Sequence, residues 1–539
     1  MGAFGRHYPV FGALALYVAG VLFVRPWADL PLNDDWVYAL DVVRSVERGA
    51  LNFLGIESAW GIPQVWLGFL LKPVRLVHLQ LRVLNIACSL LSIGLLYLLL
   101  LRATRNRPLL LLLLAGFAAF PPFFISSLTF MSDPLFLLLV IIVSLLLHEA
   151  ARRRSAAWLA ASAAFCLPAL LQRQYGALFA LPLLLVGFAL PRRGWALAVT
   201  GCWSAVLVVA TYALAGGWVK AHVALQLETA PVFTISVVYQ VLLAGSLVFF
   251  TGLLVAPAFL ALRRLPRGDC PSPRGGESAS RWIYLLLALF ASLMAQRMTR
   301  DVNAPFVGNF LSAYGVFRPH EVLMGARELN IPLPLRVFVG GLGLFFVVPA
   351  LARLSSKMRP GAARAFLRER PECVAPLMFG ALYAATLASR TVFFDRYYLP
   401  LLPAVLFAVA LLLDDARVGW RALVGLAAAL VIMVFTATTT RDYFSWNAAK
   451  WELASRAMGR LGSVGELDGG YEWNGWNGKV TAAHPRSALE SATHFLSLSP
   501  QFGSRIVDAA GWYSIWPPHD RQVYLIEKKP LPPRRAAPP

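Results

Sequence analysis

Two adjacent carboxylates, Asp34 and Asp35, stand in "PLNDDWVYALDVV", a few residues after the first long apolar run. Asn33 followed by two acids makes a good helix N-terminus, because such side chains accept from free N–H groups and suit the helix dipole. The same pair at the mouth of a membrane helix could instead do chemistry at a lipid–water boundary. The residues alone leave both open. A third acid, Asp133 in "MSDPLF", has the form of a cap followed by proline at the first helical position, and capping leaves room for a second role. Four cations sit near the ends of apolar runs: Lys72, Arg75, Arg173 and Arg396. Snorkelling or interfacial anchoring accounts for such residues in general, whereas a lipid phosphate would be a partner that holds them for a purpose. In the tail, "DGGYEWNGW" offers Glu472, Trp473, Asn474 and Trp476. That mix suits sugar stacking, yet Gly-Gly and Asn-Gly are also plain turn signals.

Some chemistry is missing. There is no P-loop and no strand-embedded GxGxxG, so no nucleotide fingerprint is present. No His/Cys metal cluster occurs. The two adjacent acids could hold a divalent cation, although oxygen ligation needs more ligands than this pair supplies. No cofactor is firmly expected.

The elements that must position these residues are membrane helices. Of 539 residues, 58% are hydrophobic and only 14% charged, against about 25% charged in a soluble domain. Apolar runs recur near 8–27, 77–101, 109–126, 133–149, 156–172, 175–190, 195–215, 236–262, 282–298, 336–354, 373–389, 397–413 and 422–440. These give about thirteen spans of bilayer length. The expected fold class is an all-α polytopic integral membrane protein with a small C-terminal α/β domain outside. The net charge of +21 does not point to nucleic acid, because its basic clusters ("RATRNR", "ARRRS", "PRRG", "RRLPRG") fall at alternate ends of the runs. Lys/Arg-rich short loops stay inside, so the alternation reads as topology with the N-terminus cytoplasmic. Asp34, Asp35, Asp133 and all four cations then face outward, the cations against the positive-inside trend.

Two further stretches carry detail. Residues 34–49 place Trp36, Val37, Leu40, Val43 and Val46 on one side, with Asp41, Arg44, Ser45 and Arg48 opposite. That is the spacing of an amphipathic helix lying in the interface. "AWGIPQVWLGFLLKPV" is too short to span and reads as a re-entrant or surface helix. The tail divides into a polar α/β domain over 441–528 and a disordered end over 529–539. "SWNAAKWELASRAMGRL" is expected to be an amphipathic helix and "RQVYLIEKK" a strand.

On "NDDWVYAL" the chain resembles the GT-C superfamily of lipid-linked sugar transferases. Those proteins carry an acidic pair in the first external loop, after the first membrane helix and before two interfacial helices. The superfamily includes protein O-mannosyltransferases and aminoarabinose transferases acting on lipid A. Asp34 matches the first acid, Asp35 the second and Tyr38 the following tyrosine. "LRVLNIACSLLSIGLLYLLLLR", "LTFMSDPLFLLLVII", "LLQRQYGALFALPLLL" and "DRYYLPLLPAVLFAVALL" are similar to family segments in the same order. The resemblance covers roughly 8–440, a transmembrane catalytic domain over 1–440 with its first external loop at 28–76.

The resemblance implies an inverting glycosyltransferase, hexosyl or pentosyl, at the outer face of the bacterial cytoplasmic membrane. Its donor would be a polyprenyl-phosphate sugar and its acceptor a lipid, glycan or protein, among membrane lipids and without nucleic acid. Asp34 would act as general base, with Asp35 and Asp133 orienting hydroxyls. Lys72, Arg75, Arg173 and Arg396 would hold the departing phosphate, and Tyr38 and Tyr397 would contact sugar or acceptor. A rival expectation is a transporter or lipid-linked sugar flippase, which calls for internal repeats and ionisable residues in mid-span. No clear repeat is visible, and the acids cluster at span ends.

Overall fold

The structure, a computed structural model, describes residues 3–54, 60–73, 75–191, 194–196, 199–207, 209–210, 237–262, short pieces between 306 and 337, 369–388, 394–478, 492–501, 503–515 and 518–528. The expected span at 282–298, most of that at 336–354 and the tail end 529–539 lie outside the described residues. Among the described residues, six helices are long and apolar enough to cross a membrane, or seven if one bent pair counts as a single span. The chain is a multi-pass membrane protein. Other expected spans are shorter helices, such as Ala156–Gln172 and Gln174–Ala189.

Helix α1 (Ala3–Val24) leads into a loop that ends at α2 (Asp35–Arg48), followed by the ten-residue α3 (Ile62–Leu71) and the long α4 (Val77–Ala103). At about 1.5 Å per residue, α3 reaches only half-way across a bilayer core. Next, α5 (Arg107–Ala119) and α6 (Pro121–Ser127) form the bent pair, breaking by 58° at Phe120. Pro121 and Pro122 have no N–H to continue the ladder. Beside the break, the Ala119 carbonyl accepts from the Thr436 hydroxyl at 3.1 Å. Then come α7 (Asp133–Arg153), α8 (Ala156–Gln172), a 3-10 turn over Gln174–Phe179 and α9 (Ala180–Ala189). Later elements are α10 (Val237–Leu260), α11 (Val374–Ala388), a 3-10 turn over Asp395–Leu401 and α12 (Leu402–Leu412).

The last long helix corrects an expectation. The sequence suggests a span ending near 440 and a separate amphipathic helix after it. The structure has one continuous helix, α13 (Ala422–Leu461), of 40 residues. Neither glycine nor proline occurs between 426 and 458 to interrupt it, so the ladder runs on for about 60 Å, twice a bilayer core. Its second half carries a four-stranded sheet. Strands β1 (Leu311–Ser312) and β2 (Gly315–Val316) form a small separate hairpin, while β3 (Leu467–Asp468), β4 (His494–Ser497), β5 (Arg505–Ile515) and β6 (Pro518–Glu527) pair in the order β3-β4-β6-β5. The expected strand "RQVYLIEKK" lies largely in β6. The sheet is fastened to α13 where the Asp442 carboxylate accepts from the Ile515 N–H at 2.6 Å and the Ser514 hydroxyl at 3.1 Å.

Helix α2 begins within a residue of its expected start, but its sides are not as expected. Asp41 and Ser45, read as a solvated face, are fully buried, whereas Leu40 and Val43 are partly open. The cause is the returning loop at 50–54. Leu54 N–H donates to the Asp41 carboxylate at 2.7 Å, and the Ser45 hydroxyl accepts from Asn52 N–H at 2.9 Å. The loop's free donors therefore cover the polar side, leaving Arg44, Glu47 and Arg48 exposed.

Candidate functional site

The path to Asp34 is held from beneath by one cation. Arg82 of α4 is completely buried and donates to the carbonyls of Pro26, Ala28 and Leu30 at 2.7–2.9 Å. Three carbonyls turned to one guanidinium fix the loop between α1 and α2, since buried backbone acceptors must find partners. Asn33 then takes a left-handed conformation, φ 51°, and swings the chain into α2. Asn and Asp tolerate that region better than other side chains.

The two neighbouring acids separate at this point. Asp35 is buried, its carboxylate accepting from the Leu32 N–H at 2.6 Å and, more weakly, from the Phe130 N–H at 3.5 Å. The reach back to the third residue before it closes the turn that starts α2. Burial pushes the Asp35 carboxyl up to about 8, against the opposing pull of Arg82 and the two N–H groups. Asp34 instead keeps 31% of its side chain exposed. Its Oδ2 pairs with Arg396 Nη1 at 3.2 Å, and its Oδ1 accepts from the Tyr471 hydroxyl at 3.3 Å.

Asp133 opens α7 beside them. The loop before it, "TFMSD", has its carbonyls captured by side-chain amides from three helices. Asn85 of α4 donates to Thr129 and Met131, Gln64 of α3 to Phe130, and Gln172 of α8 to Ser132, all at 2.6–3.0 Å. Gln64 and Gln172 also bond one another at 2.9 Å. So anchored, Asp133 Oδ2 pairs with Arg173 Nη2 at 3.0 Å, and Arg173 donates twice to the Ser132 hydroxyl. Asp133 Oδ1 has no hydrogen-bond partner among the described residues, nor has Arg396 Nε.

Arg396 owes its place to Asp395. That carboxylate accepts from the N–H groups of Phe310 and Leu311 at 2.8 and 2.7 Å, tying the 3-10 turn to β1. The Arg396 guanidinium lies 5.2 Å from the Phe394 ring centroid and 5.9 Å from that of Tyr397. Arg173 and Arg396 are close enough to act on one another, with the buried Tyr38 in electrostatic reach of both. The structure thus brings together Asp34, Asp133, Arg173, Arg396, Tyr38 and Tyr397, with Asp35 directly behind. Lys72 and Arg75 are exposed on the segment after α3, and neither is ion-paired to a described residue.

Sequence reasoning missed the tail's contribution. Tyr471, not singled out, touches Asp34. Glu472, read as a sugar contact or turn residue, is fully buried in an ion pair with Lys450 of α13 at 2.8 Å. The signal was Lys450 itself, which sits on the same helix face as Trp446, Leu453 and Ala457. A lone lysine on an apolar face calls for a buried partner. Trp473 and Asn474 are buried, Asn474 donating to Asp468 at 2.7 Å, while Trp476 lies 4.4 Å from the His78 ring. Among the described residues, no three His, Cys, Asp or Glu side chains gather as a metal set.

Asp34 and Asp133 each face a buried arginine. No protein-family model matches the chain. No curated protein matches it. Among solved structures it is similar to two crystal structures of ArnT from Cupriavidus metallidurans, one bound to undecaprenyl phosphate and one in the apo state. Both are 15% identical to this chain, with TM-scores of 0.40 and 0.38. The matches cover 97% and 96% of this chain and 98% of each ArnT chain.

Proposed function

We propose that the protein is a membrane glycosyltransferase that moves a sugar from a polyprenyl-phosphate carrier to an acceptor at the outer face of the cytoplasmic membrane. The observation that carries this reading is the pairing of a half-open acid with buried arginines. Asp34 is partly exposed while its partner Arg396 is only 4% exposed. A desolvated guanidinium with an unpartnered Nε is suited to the charge that develops on a departing phosphate. The order of motifs along the chain, from "NDDWVYAL" to "DRYYLP", supports the same conclusion.

In this mechanism Asp34 takes the proton from an acceptor hydroxyl as its oxygen attacks the anomeric carbon. The bond to the lipid phosphate breaks on the opposite side, so the anomeric configuration inverts. Arg396 and Arg173 stabilise the phosphate dianion that leaves, and Asp133 holds Arg173 in place while offering Oδ1 to a sugar hydroxyl. Asp35 shapes the turn. Tyr38 and Tyr397 line the sugar, and the exposed Lys72 and Arg75 meet the phosphate at the rim. Purified protein in liposomes, supplied with polyprenyl-phosphate sugars labelled in the sugar, tests the reading. The expected result is label moved to an acceptor with inverted linkage; label that crosses the bilayer still on its carrier would favour a flippase instead.

A further inference from the structure

Beyond Asp34 itself, the tail segment Tyr471–Trp476, called α14, is built against the first loop. Trp36 and Tyr471 meet edge to face at 5.6 Å. A Cβ at Gly475 would fall onto the Trp36 indole, so the segment lies with its backbone against α2. Glu472 accepts from the Asn33 N–H with Oε1 at 3.2 Å and from the Lys450 ammonium with Oε2 at 2.8 Å. Both members of that ion pair are fully buried. The Lys450 ammonium also stands 5.1 Å from the Trp446 ring centroid.

We infer that Tyr471, Glu472 and Lys450 are positioning residues for Asp34, which makes the C-terminal segment a working part of the site. Asn33 holds a left-handed conformation, which costs free energy in a non-glycine residue even though Asn tolerates it better than most. Its N–H donates to the Glu472 carboxylate, and the Lys450 ammonium neutralises the buried charge of that acceptor. The ion pair thus sets the backbone from which Asp34 projects. Tyr471 sets the side chain, donating to Oδ1 and leaving Oδ2 to Arg396. A pair serving only to dock the tail would need neither contact.

The inference rests on the proposed function in taking Asp34 as the acting group, so its test has one arm that needs no activity. In that arm, amide exchange is followed over residues 31–36 in the full-length protein. Replacing the whole pair (Glu472→Leu with Lys450→Met) avoids a stranded buried charge and often leaves stability unchanged. The expected result is exchange at Asn33 and Asp34 at least tenfold faster, with the β5–β6 amides unaffected. Glu472→Gln with Lys450→Met keeps an acceptor for Asn33 and should restore protection. Unchanged exchange in the apolar pair overturns the inference, whatever the protein's activity.

In the second arm, Tyr471→Phe removes one oxygen. It should lower kcat roughly tenfold or more at unchanged KM, as for a lost hydrogen bond to a charged group. A wild-type kcat in Tyr471→Phe, with Asp34→Asn inactive, would overturn the positioning role and leave the proposed function standing. A wild-type protein that transfers nothing would remove the function, and the exchange arm would still decide the positioning.

Discussion

Helix α7 carries an acid near each end, about 24 Å apart at 1.5 Å per residue, and the two ends use the same chemistry differently. At one end, the buried Glu149 is paired with Arg102, Arg152 and Arg153 at 2.6–2.8 Å, and those arginine side chains are 37–50% exposed. Glu149 Oε2 accepts from Arg152 and Arg153, and Oε1, without a hydrogen bond, lies at ion-pair distance from Arg102, while the cations stay in water. At the other end the cations themselves are buried, Arg173 at 5% and Arg396 at 4%, and the open member is an acid, Asp34. Asp133 Oδ1 and Arg396 Nε lack partners among the described residues. Desolvated charge with unmet bonds costs free energy. The proposed function reads the first end as a staple and the second as a site.

This contrast can be broken. Removing Arg173 alone (Arg173→Gln) leaves Asp133 buried without its cation and should destabilise the protein by about 3–5 kcal/mol, read as lowered thermal stability in detergent. Arg173→Gln with Asp133→Asn should recover most of that loss yet remain inactive. A double variant with normal transfer would reduce the pair to a staple like that of Glu149.

A smaller effect concerns the acid behind the site. Because the folded Asp35 carboxyl is raised to about 8 from its ordinary 3.8, the folded state holds a proton that the unfolded chain has released between those values. Stability from this group therefore falls as pH rises from about 4 towards 8. Asp35→Asn should flatten that slope in melting temperature across the window. An identical slope in wild type and variant would place the pH dependence elsewhere. The smallest effect is expected at the break between α5 and α6, where Thr436→Val strips the Ala119 carbonyl of its partner. A loss of about 1 kcal/mol is expected in unfolding experiments, with transfer unchanged.

What could be read from the residues follows the range of the forces involved. The extent of helix α2, the short α3 and the strand at β6 depend on local pattern, and the residues display it. The Asp34–Arg396 pair joins residues 362 positions apart, and no periodicity encodes such a distance. The burial of Asp41 and Ser45 was hidden because their partners are backbone donors of a loop with no helical pattern. Glu472 was misread for a related reason. Its neighbours Gly470 and Gly475 look like turn glycines, although Gly475 is where the backbone must lie against Trp36.

On the proposed function, Asp34 acts chemically whereas Glu149 only fastens helices. Steady-state transfer from labelled polyprenyl-phosphate sugars, measured for Asp34→Asn and Glu149→Gln in the same liposomes, tests it most directly. The expected result is a fall of about 10²–10⁴ in kcat for Asp34→Asn, the usual contribution of a general base, with Glu149→Gln transferring at the wild-type rate. Wild-type turnover in a correctly inserted Asp34→Asn would contradict the account.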